Sequence, residues 1–339
     1  MNTIRLEEPG KLIARDTPDP GPPGPGEALV RVHRIGVCGT DIHAYAGRQP
    51  FFSYPRILGH ELGVEVLATG EGVSNIDVGA RCAVEPYINC GECIACRRGK
   101  PNCCADLHVL GVHRDGGMRG RFIVPARKLH HSPTLEYDQL ALVETLAIGC
   151  HAVDRACLER DEFALVIGAG PIGLAVMQFA VEARARVIAL DVNAARLEFC
   201  QKQLGVAHAI HGGLEPVLES LLRITGGDLP TAVIDATGNP QSMAATFNYQ
   251  APGGRVVFVG LFQGDVTFKD PNFHKREISL LASRNALPAD FTRIIRLIES
   301  GRIDTTPWIT HRADFSRVTE EFPRWTLPAT GVVKAMISV

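Results

Sequence analysis

The sequence has few aromatic residues and no marked excess of charge of either sign. Phe, Trp and Tyr make up 6% of its 339 residues, and the formal net charge is −2 at pH 7. A charge so close to neutral gives no electrostatic reason to expect nucleic acid or an anionic membrane as a partner. The chain also lacks any apolar run near the ~20 residues that span a bilayer, so no membrane partner is predicted.

An apolar leader is missing as well. Residues 1–12 contain no continuous apolar stretch, so no secretory signal peptide is predicted and a cytoplasmic location is expected. The ten cysteines are then expected to serve as thiols and metal ligands. With 45% hydrophobic and 21% charged residues, a chain of this length is expected to form a globular protein of two domains.

Four cysteines form the most specific pattern in the chain, Cys-x2-Cys-x2-Cys-x7-Cys. They are Cys90, Cys93, Cys96 and Cys104. Four thiolates spaced so closely fit one tetrahedral Zn²⁺ with no open position, so the predicted site is structural. Disulfides are the alternative, and Cys103 competes for the last place, although the spacing from Cys96 favours Cys104.

The two halves of the chain differ in the secondary structure that their sequence patterns predict. Between residues 27 and 84, short β-branched runs separated by Gly/Pro-rich turns are typical of a small barrel or sandwich. Residues 18–26 are interpreted as an extended surface connection. From about residue 140, apolar residues recur at helical spacing, and strands then alternate with helices. That alternation predicts an α/β fold with a doubly wound parallel sheet.

The second half supplies a Gly-x-Gly-x-x-Gly motif in a favourable context. It runs from Gly168 to Gly173, after a predicted strand at residues 163–167 and before a predicted helix. Gly168 permits the tight turn, Gly170 lets backbone amides approach a pyrophosphate, and Gly173 allows close packing of helix and strand. Further strands are predicted at residues 186–190, 232–235, 255–259 and 278–282, and a long amphipathic helix at 291–300.

An acidic residue follows the motif at the position that a dinucleotide site requires. Asp191 ends the next predicted strand, 18 positions beyond Gly173, and would accept hydrogen bonds from the ribose hydroxyls. Because a carboxylate repels a 2′-phosphate, NAD is predicted in preference to NADP. Arg196 either reaches the ribose or is a solvated helix residue. A purely structural strand–turn–helix is the alternative for the motif as a whole.

A second set of possible metal ligands lies nearer the N-terminus. Cys38 opens the run Cys-Gly-Thr-Asp-Ile-His, and His60 and Glu61 follow in a separate loop. Thiolate, imidazole and carboxylate together suit a zinc ion that keeps one position open for a substrate oxygen. Each residue alone says little. Their combination with the four-cysteine segment and the nucleotide motif points to a catalytic metal.

These motifs resemble those of the zinc-containing medium-chain dehydrogenases/reductases of the alcohol dehydrogenase superfamily. Over nearly the whole chain the similarity is greatest to the sorbitol-dehydrogenase-like branch, which acts on polyols and sugar acids. The resemblance implies a β-rich GroES-like catalytic domain at residues 1–142 and 286–339, with a structural zinc lobe at 88–106. It also implies a Rossmann NAD-binding domain at 143–285, two zinc ions per chain, and a homodimer or homotetramer.

The same resemblance assigns roles at the catalytic metal. Glu61 is implied as a ligand or an exchanging partner. Glu144 stands where the alcohol dehydrogenases carry a cysteine ligand and the polyol branch carries a glutamate. A helix-terminal charge is the alternative for Glu144. The metal would lower the pKa of the substrate hydroxyl, and Thr40 and His43 would carry its proton to solvent. Asp41 would orient His60.

The resemblance also places residues around the cofactor and the substrate. The cofactor set consists of Gly168, Gly170, Pro171, Ile172, Gly173, Asp191, Arg196, Val259, Gly260 and Ser283. The substrate set consists of His113, Arg114, Arg48, Arg284 and Asn285. Arginines suit a carboxylate-bearing substrate, so a sugar acid or polyol oxidised at a secondary hydroxyl is expected. A neutral polyol or simple alcohol dehydrogenase, and a zinc- and nucleotide-binding module without turnover, are the alternatives.

Overall fold

The computed structural model describes residues 1–50 and 52–339. The chain divides into two units, the first made of Met1–Thr145 and Leu287–Val339 and the second of Leu146–Ala286. The expected boundaries, after residues 142 and 285, lie no more than three residues from these divisions.

The strands and helices occupy most of the described chain. The strands are β1 (Asn2–Glu8), β2 (Lys11–Asp16), β3 (Glu27–Val37), β4 (Glu61–Thr69), β5 (Arg81–Val84), β6 (Tyr87–Ile88), β7 (His108–Val109), β8 (Arg121–Pro125), β9 (Leu129–His131), β10 (Phe163–Ile167), β11 (Arg186–Asp191), β12 (His208–His211), β13 (Ala232–Asp235), β14 (Arg255–Phe258), β15 (Ser279–Ala282), β16 (Ile309–Asp314) and β17 (Lys334–Ser338). The helices are α1 (Gly39–Tyr45), α2 (Ile94–Arg97), α3 (Tyr137–Ala156), α4 (Pro171–Glu182), α5 (Ala194–Leu204), α6 (Val217–Thr225), α7 (Pro240–Ala245), α8 (Asp270–Lys275), α9 (Pro288–Glu299) and α10 (Val318–Trp325).

The first unit is organised around strand β3. In its main sheet the order is β16-β17-β3-β4-β5-β9, and β8 also pairs with β3. The alternating residues Ala28, Val30 and Val32 of β3 are buried while Arg31 is exposed, as expected of a strand with one face on a core. Two ribbons, β1–β2 and β6–β7, lie outside this sheet.

The second unit contains a parallel sheet in the order β12-β11-β10-β13-β14-β15. Ala164 to Ile167 of β10 are all buried, as in a strand covered on both faces. The strand order reverses between β10 and β13, which in doubly wound sheets marks the crevice where ligands bind. The α/β class and the doubly wound topology predicted from the sequence are confirmed.

Differences from the predicted elements have local causes. The helix predicted at 291–300 begins earlier, at Pro288, because proline suits the first helical position and Asp290 Oδ2 accepts from Leu287 N at 2.8 Å. Helix α10 is not among the elements predicted from the sequence. It includes Pro323, but Phe322 and Trp325 pack into the core, so tertiary burial outweighs propensity.

Two further expectations concern the surface. Residues 18–26 form a mostly exposed, irregular connection between β2 and β3, as predicted. Across the described chain, each helix is too short or too polar to cross a lipid bilayer.

Candidate functional site

The four-cysteine segment forms a lobe between β6 and β7 that gathers its sulfur atoms. The Sγ atoms of Cys90, Cys93, Cys96 and Cys104 all lie within 4.8 Å of one another. All four are free thiols, and the sulfurs of Cys90 and Cys104 are 3.4 Å apart. Cys103 lies exposed outside this group.

Backbone N–H groups point at the sulfurs of the lobe. Cys90 N donates to Cys104 Sγ at 3.3 Å, and Ala105 N donates to Cys93 Sγ at 3.5 Å. Backbone donation from Cys96 and Ala105 lowers the pKa of the Cys93 thiol to about 6. Four clustered sulfurs with donors that favour thiolate fit a tetrahedral zinc ion.

The second candidate centre is produced by the pairing of β3 with β4. In this ladder Gly36 lies opposite Glu61, which brings Cys38, just beyond β3, next to His60. Ligand atoms of Cys38, His60 and Glu61 lie within 4.8 Å of one another. Gly36 is required here, because a Cβ at that position would come 2.2 Å from Glu61 Oε2.

Asp41 supports both Cys38 and His60. Its Oδ2 accepts from Cys38 N at 3.0 Å, and its Oδ1 lies 3.6 Å from His60 Nδ1. Burial alone would lower the pKa of His60, but the negative charges of Asp41 and Cys38 raise it well above its usual value. The carboxylate therefore faces Nδ1 and leaves Nε2 for a metal.

Glu61 is held by a buried lysine from the far end of the chain. Lys334 Nζ donates to both carboxylate oxygens, at 2.6 and 2.8 Å, and Thr145 Oγ1 donates to Oε1 at 2.7 Å. Burial would raise the pKa of Glu61, but Lys334 outweighs it and the pKa is lowered. Pairing of β17 with β3 places Lys334 there. The charge of Glu61 is thus already compensated by the protein.

Glu144 lies near His60 but outside the group of three. It is 4% exposed, and Tyr87 donates its hydroxyl to Glu144 Oε1 at 2.5 Å. Burial raises the pKa of Glu144, and the charge of His60 opposes that rise. Lys334 forms its ion pair with Glu61 and not with Glu144, so a bound cation would favour the charged form of Glu144 that burial disfavours.

The sequence reasoning missed Tyr87, Thr145 and Lys334. For Lys334 a signal exists: it is a lone charge in the apolar run Val-Val-Lys-Ala-Met-Ile, which predicts a buried cation in need of a carboxylate. Tyr87 and Thr145 carry no comparable signal. Their roles follow from partners that are distant in the sequence.

Thr40 and His43 lie three residues apart on helix α1, so their side chains share one side of the helix. Thr40 is half-buried and His43 is exposed. Partial burial lowers the pKa of His43, and the charge of Arg48 lowers it further. A histidine that loses its proton readily at neutral pH suits the release of a proton to solvent.

The glycine motif of the second unit has the geometry of a phosphate-binding turn. Gly168 has φ +93°, and a Cβ at Gly173 would lie 1.7 Å from Gly168 O, so strand and helix approach closely. Gly170 is the N-cap of α4 without a side-chain cap, and a Cβ there would meet open space. With Pro171 and Ile172 in the first turn, this open helix N-terminus fits a pyrophosphate.

Asp191 and Arg196 both contact the glycine loop. Asp191 Oδ2 accepts from Ala169 N at 2.5 Å and Oδ1 from Asn193 N at 2.8 Å. Arg196 Nη1 donates to Ala169 O at 3.4 Å, and burial lowers the pKa of its guanidinium. The carboxylate therefore stands at the edge of the turn, at the end of β11.

Three other predicted cofactor residues follow neighbouring strands. Val259 N and Gly260 N donate to Asp235 O, at 2.9 and 3.1 Å, just beyond β14. A Cβ at Gly260 would lie 2.2 Å from Gly238 N, so only glycine fits. Ser283 lies beyond β15, where its N–H donates to Phe258 O at 2.9 Å.

The predicted substrate residues fall in both units. In the first, Arg48 and Arg114 are exposed, and His113 Nδ1 accepts from Val109 N at 3.0 Å. That bond leaves the proton of a neutral His113 on Nε2. In the second unit Arg284 is exposed, and Asn285 has φ +52°.

Two known domain families match this chain, one in each half. The alcohol dehydrogenase GroES-like domain matches residues 24–134, and the zinc-binding dehydrogenase domain matches residues 171–300. The chain is 40% identical over 338 residues to L-galactonate-5-dehydrogenase of Escherichia coli strain K12, covering 100% of this chain and 99% of that protein. The chain belongs to the zinc-binding dehydrogenase family. The resemblance inferred from the motifs is confirmed, and the protein is a dehydrogenase.

Solved structures agree. The short chain alcohol dehydrogenase rspB of Escherichia coli CFT073, in complex with NADH, has a TM-score of 0.92 at 32% identity, covering 100% of this chain and 99% of that one. A zinc-binding dehydrogenase of Sinorhizobium meliloti 1021, bound to NADP, has a TM-score of 0.91 at 29% identity, with the same coverage. Zinc and a nicotinamide nucleotide are therefore the cofactors of this family.

Proposed function

We propose that this dehydrogenase transfers a hydride from a secondary hydroxyl of a sugar acid or polyol to NAD. The observation that carries the proposal is the cluster of the half-buried Cys38 with the buried His60 and Glu61, with Thr40 and His43 on the adjoining helix α1. A binding module needs no residues that move protons, whereas an alcohol dehydrogenase does.

Two zinc ions per chain are proposed. Cys90, Cys93, Cys96 and Cys104 would hold a structural ion. Cys38, His60 and Glu144 would hold a catalytic ion, with Glu61 as the exchanging partner, because Lys334 already compensates the charge of Glu61. When bound, the metal withdraws charge from the substrate oxygen and NAD accepts the hydride.

The protein's own groups would prepare the substrate for that transfer. Asp41 fixes the orientation of His60 through its Nδ1 side. Thr40 would accept the hydroxyl proton into a hydrogen-bonded chain, and His43, at the exposed end, would release it to solvent. The lowered pKa of His43 keeps it unprotonated and ready to accept a proton at neutral pH.

NAD is proposed as the cofactor, in preference to NADP. The Asp191 carboxylate at the end of β11 would accept hydrogen bonds from the ribose hydroxyls and repel a 2′-phosphate. Arg196, which contacts the same loop, is the residue that would favour NADP if its charge prevailed. Pro171, Ile172, Val259, Gly260 and Ser283 complete the proposed cofactor set.

For the substrate, we favour a sugar acid. The relative with 40% identity is named for L-galactonate, a sugar acid. Arg48, Arg114 and Arg284 are exposed guanidinium groups, and such groups grip carboxylates in a bidentate manner. His113 and Asn285 are proposed as additional contacts to substrate hydroxyls.

The test is a substrate panel with NADH formation as the readout. We expect hexonates to exceed sorbitol in kcat/KM. Alanine in place of the arginine that binds the carboxylate, among Arg48, Arg114 and Arg284, should raise KM for the acid about tenfold or more. The KM for sorbitol should stay nearly unchanged, since a charge-assisted hydrogen bond contributes about 1.5–3 kcal/mol. Equal kcat/KM for both classes would indicate a neutral polyol dehydrogenase. Binding of NAD without turnover of any alcohol would indicate a non-catalytic module.

We further propose a cytoplasmic homodimer or homotetramer. Strand β15 lies at one end of its sheet and exposes Leu280, so its open edge suits pairing with a second copy. All ten cysteines are free, which suits a reducing compartment. Light scattering of the purified protein would test the oligomeric state.

A further inference from the structure

Tyr87 belongs to the two-stranded ribbon on which the cysteine lobe stands. Strand β6 ends two residues before Cys90, and β7 begins four residues after Cys104. Tyr87 pairs with Val109 across this antiparallel ribbon. The ribbon therefore closes the lobe at its base, and only two residues separate Tyr87 from Cys90.

On its other side Tyr87 reaches the catalytic centre. Its ring is buried, 3% exposed, and lies edge-on to Phe291 with the ring centroids 6.3 Å apart. The hydroxyl donates to Glu144 Oε1 at 2.5 Å. A carboxylate oxygen buried in this way needs a donor, and the phenol is the donor that the fold provides.

The segment between Tyr87 and the lobe is itself fixed. Asn89 Nδ2 donates to Cys96 Sγ at 3.5 Å. Arg127 donates to Asn89 Oδ1 at 2.8 Å and to Asn89 O at 2.9 Å. A chain of contacts thus runs from the sulfur of Cys96 through Asn89 and the backbone to the carboxylate of Glu144.

We propose that Tyr87 is a positioning residue that sets the carboxylate of Glu144 and makes the catalytic centre depend on the cysteine lobe. The inference rests on the proposed function, in which Glu144 is a ligand of the catalytic metal. With the lobe intact, β6 holds the phenol against Glu144 and limits the positions that the carboxylate takes. When the lobe loosens, the phenol moves and the carboxylate loses its donor.

The first test compares the Zn-loaded wild-type enzyme with Tyr87→Phe, which keeps the ring and removes only the hydroxyl. Release of the catalytic zinc to a chelator should become roughly tenfold faster or more, as for other groups that orient metal ligands. Release from the lobe should stay unchanged. With Co²⁺ in the catalytic site, the visible absorption of the variant should shift, which a purely structural role of Tyr87 would not produce.

Tyr54→Phe is the matched control. Its hydroxyl also makes a 2.5 Å hydrogen bond, but to the backbone oxygen of Ala44 and not to Glu144. If Tyr87→Phe and Tyr54→Phe release zinc at the same rate and give the same cobalt spectrum, the positioning role is wrong.

A double-mutant cycle tests the link to the lobe. Asn89→Ala removes the donor to Cys96, so it should also accelerate release of the catalytic zinc, but less so in the Tyr87→Phe background. Additive effects of the two substitutions on the rate of zinc release would overturn the coupling.

Glu144→Gln separates this inference from the proposed function: if that change leaves catalytic zinc release unaltered, the ligand assignment fails. If Glu144→Gln accelerates release of the catalytic zinc while Tyr87→Phe does not, only the inference about Tyr87 fails.

Discussion

One candidate metal centre of the first unit comes from a single short loop, and the other is assembled from distant elements. The lobe draws its four sulfurs from residues 90–104, and three of the four cysteines are exposed or half-buried. The second centre draws on the residues that follow β3 and begin β4, on α3 and on β17, and His60, Glu61 and Glu144 are at most 4% exposed. The first would therefore depend on a bound metal for its shape, whereas the second is shaped by the fold around it.

The difference follows from what holds each set of ligands together. In the lobe, turns and N–H···S hydrogen bonds join the cysteines, and most residues are exposed or half-buried, so a bound metal would supply much of the lobe's folding free energy. In the second centre, ladder pairing and the Lys334–Glu61 ion pair keep the groups together. Changes at the two centres should accordingly have different consequences for stability and for activity.

The largest effect is expected from loss of a lobe cysteine. Cys96→Ala should remove one zinc per chain and lower the melting temperature strongly, since structural zinc contributes on the order of 10 kcal/mol in small zinc domains. The measurement is zinc content together with thermal unfolding. Cys103→Ala is the matched control, because Cys103 is exposed and lies outside the sulfur cluster. Equal zinc content and equal melting temperatures in the two variants would mean that the lobe does not depend on a bound zinc for its stability.

The next largest effect is expected at the assembled centre. Lys334→Met leaves the buried charge of Glu61 without its partner, which should lower the free energy of unfolding by about 3–5 kcal/mol. Urea unfolding measures it. The control is Lys11→Met, whose partner Glu8 is exposed, so that the loss of this screened surface pair should leave the free energy of unfolding nearly unchanged. A similar cost for both would mean that the fold does not maintain the second centre through this pair.

The proposed dinucleotide site extends the comparison, because its glycine motif and Asp191 lie within one strand–helix–strand segment, from β10 to β11. Asp191→Ser should raise the ratio of kcat/KM for NADP to that for NAD at least roughly tenfold, about 1.4 kcal/mol, as the repulsion of a 2′-phosphate is removed. Steady-state kinetics with both cofactors measures the ratio. Asp228→Ser, on the exposed surface, should leave it unchanged. A wild-type enzyme that already prefers NADP would contradict the role given to Asp191.

The smallest effect concerns a long-range link without any metal. Arg255 Nη2 donates to Glu162 Oε2 at 2.7 Å. Burial opposes ionisation, but Arg255 and neighbouring donors lower the pKa of Glu162 below its usual 4.5. Because the pKa of Glu162 is lower in the folded than in the unfolded chain, its ionisation stabilises the fold at pH values above the unfolded pKa. This stabilisation is lost as the pH falls through the folded pKa. Glu162→Gln should therefore cost about 1 kcal/mol at pH 7 and almost nothing in acid.

Chemical denaturation at several pH values tests this last prediction, with and without a chelator. Since Glu162 and Arg255 touch no proposed metal ligand, the cost should be the same in both conditions. A cost that persists in acid would show that the glutamine disturbs packing and not charge. If the loss of unfolding free energy caused by Glu162→Gln disappears when the chelator is present, the Glu162–Arg255 pair depends on a bound metal, and the prediction is wrong.

Features confined to one stretch of sequence were predictable. The strand–turn–helix around Gly168 and Gly173 could be predicted because Gly168 has φ +93° and a Cβ at Gly173 would lie 1.7 Å from Gly168 O, close by in the sequence. The cysteine spacing likewise predicted that four thiols meet in one lobe, and their Sγ atoms lie within 4.8 Å of one another. Helix α10 could not be predicted, since burial of Phe322 and Trp325 in a distant core decides its conformation.

By itself, the sequence determined the family, the parallel sheet and the residue types proposed for both metal centres, and the short cysteine spacing indicated which four thiols can meet in the lobe. Only the tertiary structure decided the partners of those ligands. Lys334 meets Glu61, and Tyr87 meets Glu144, across separations of 273 and 57 residues. Strand pairing and helix packing bring such groups together, and a buried charge takes whichever partner the completed fold places within hydrogen-bonding distance.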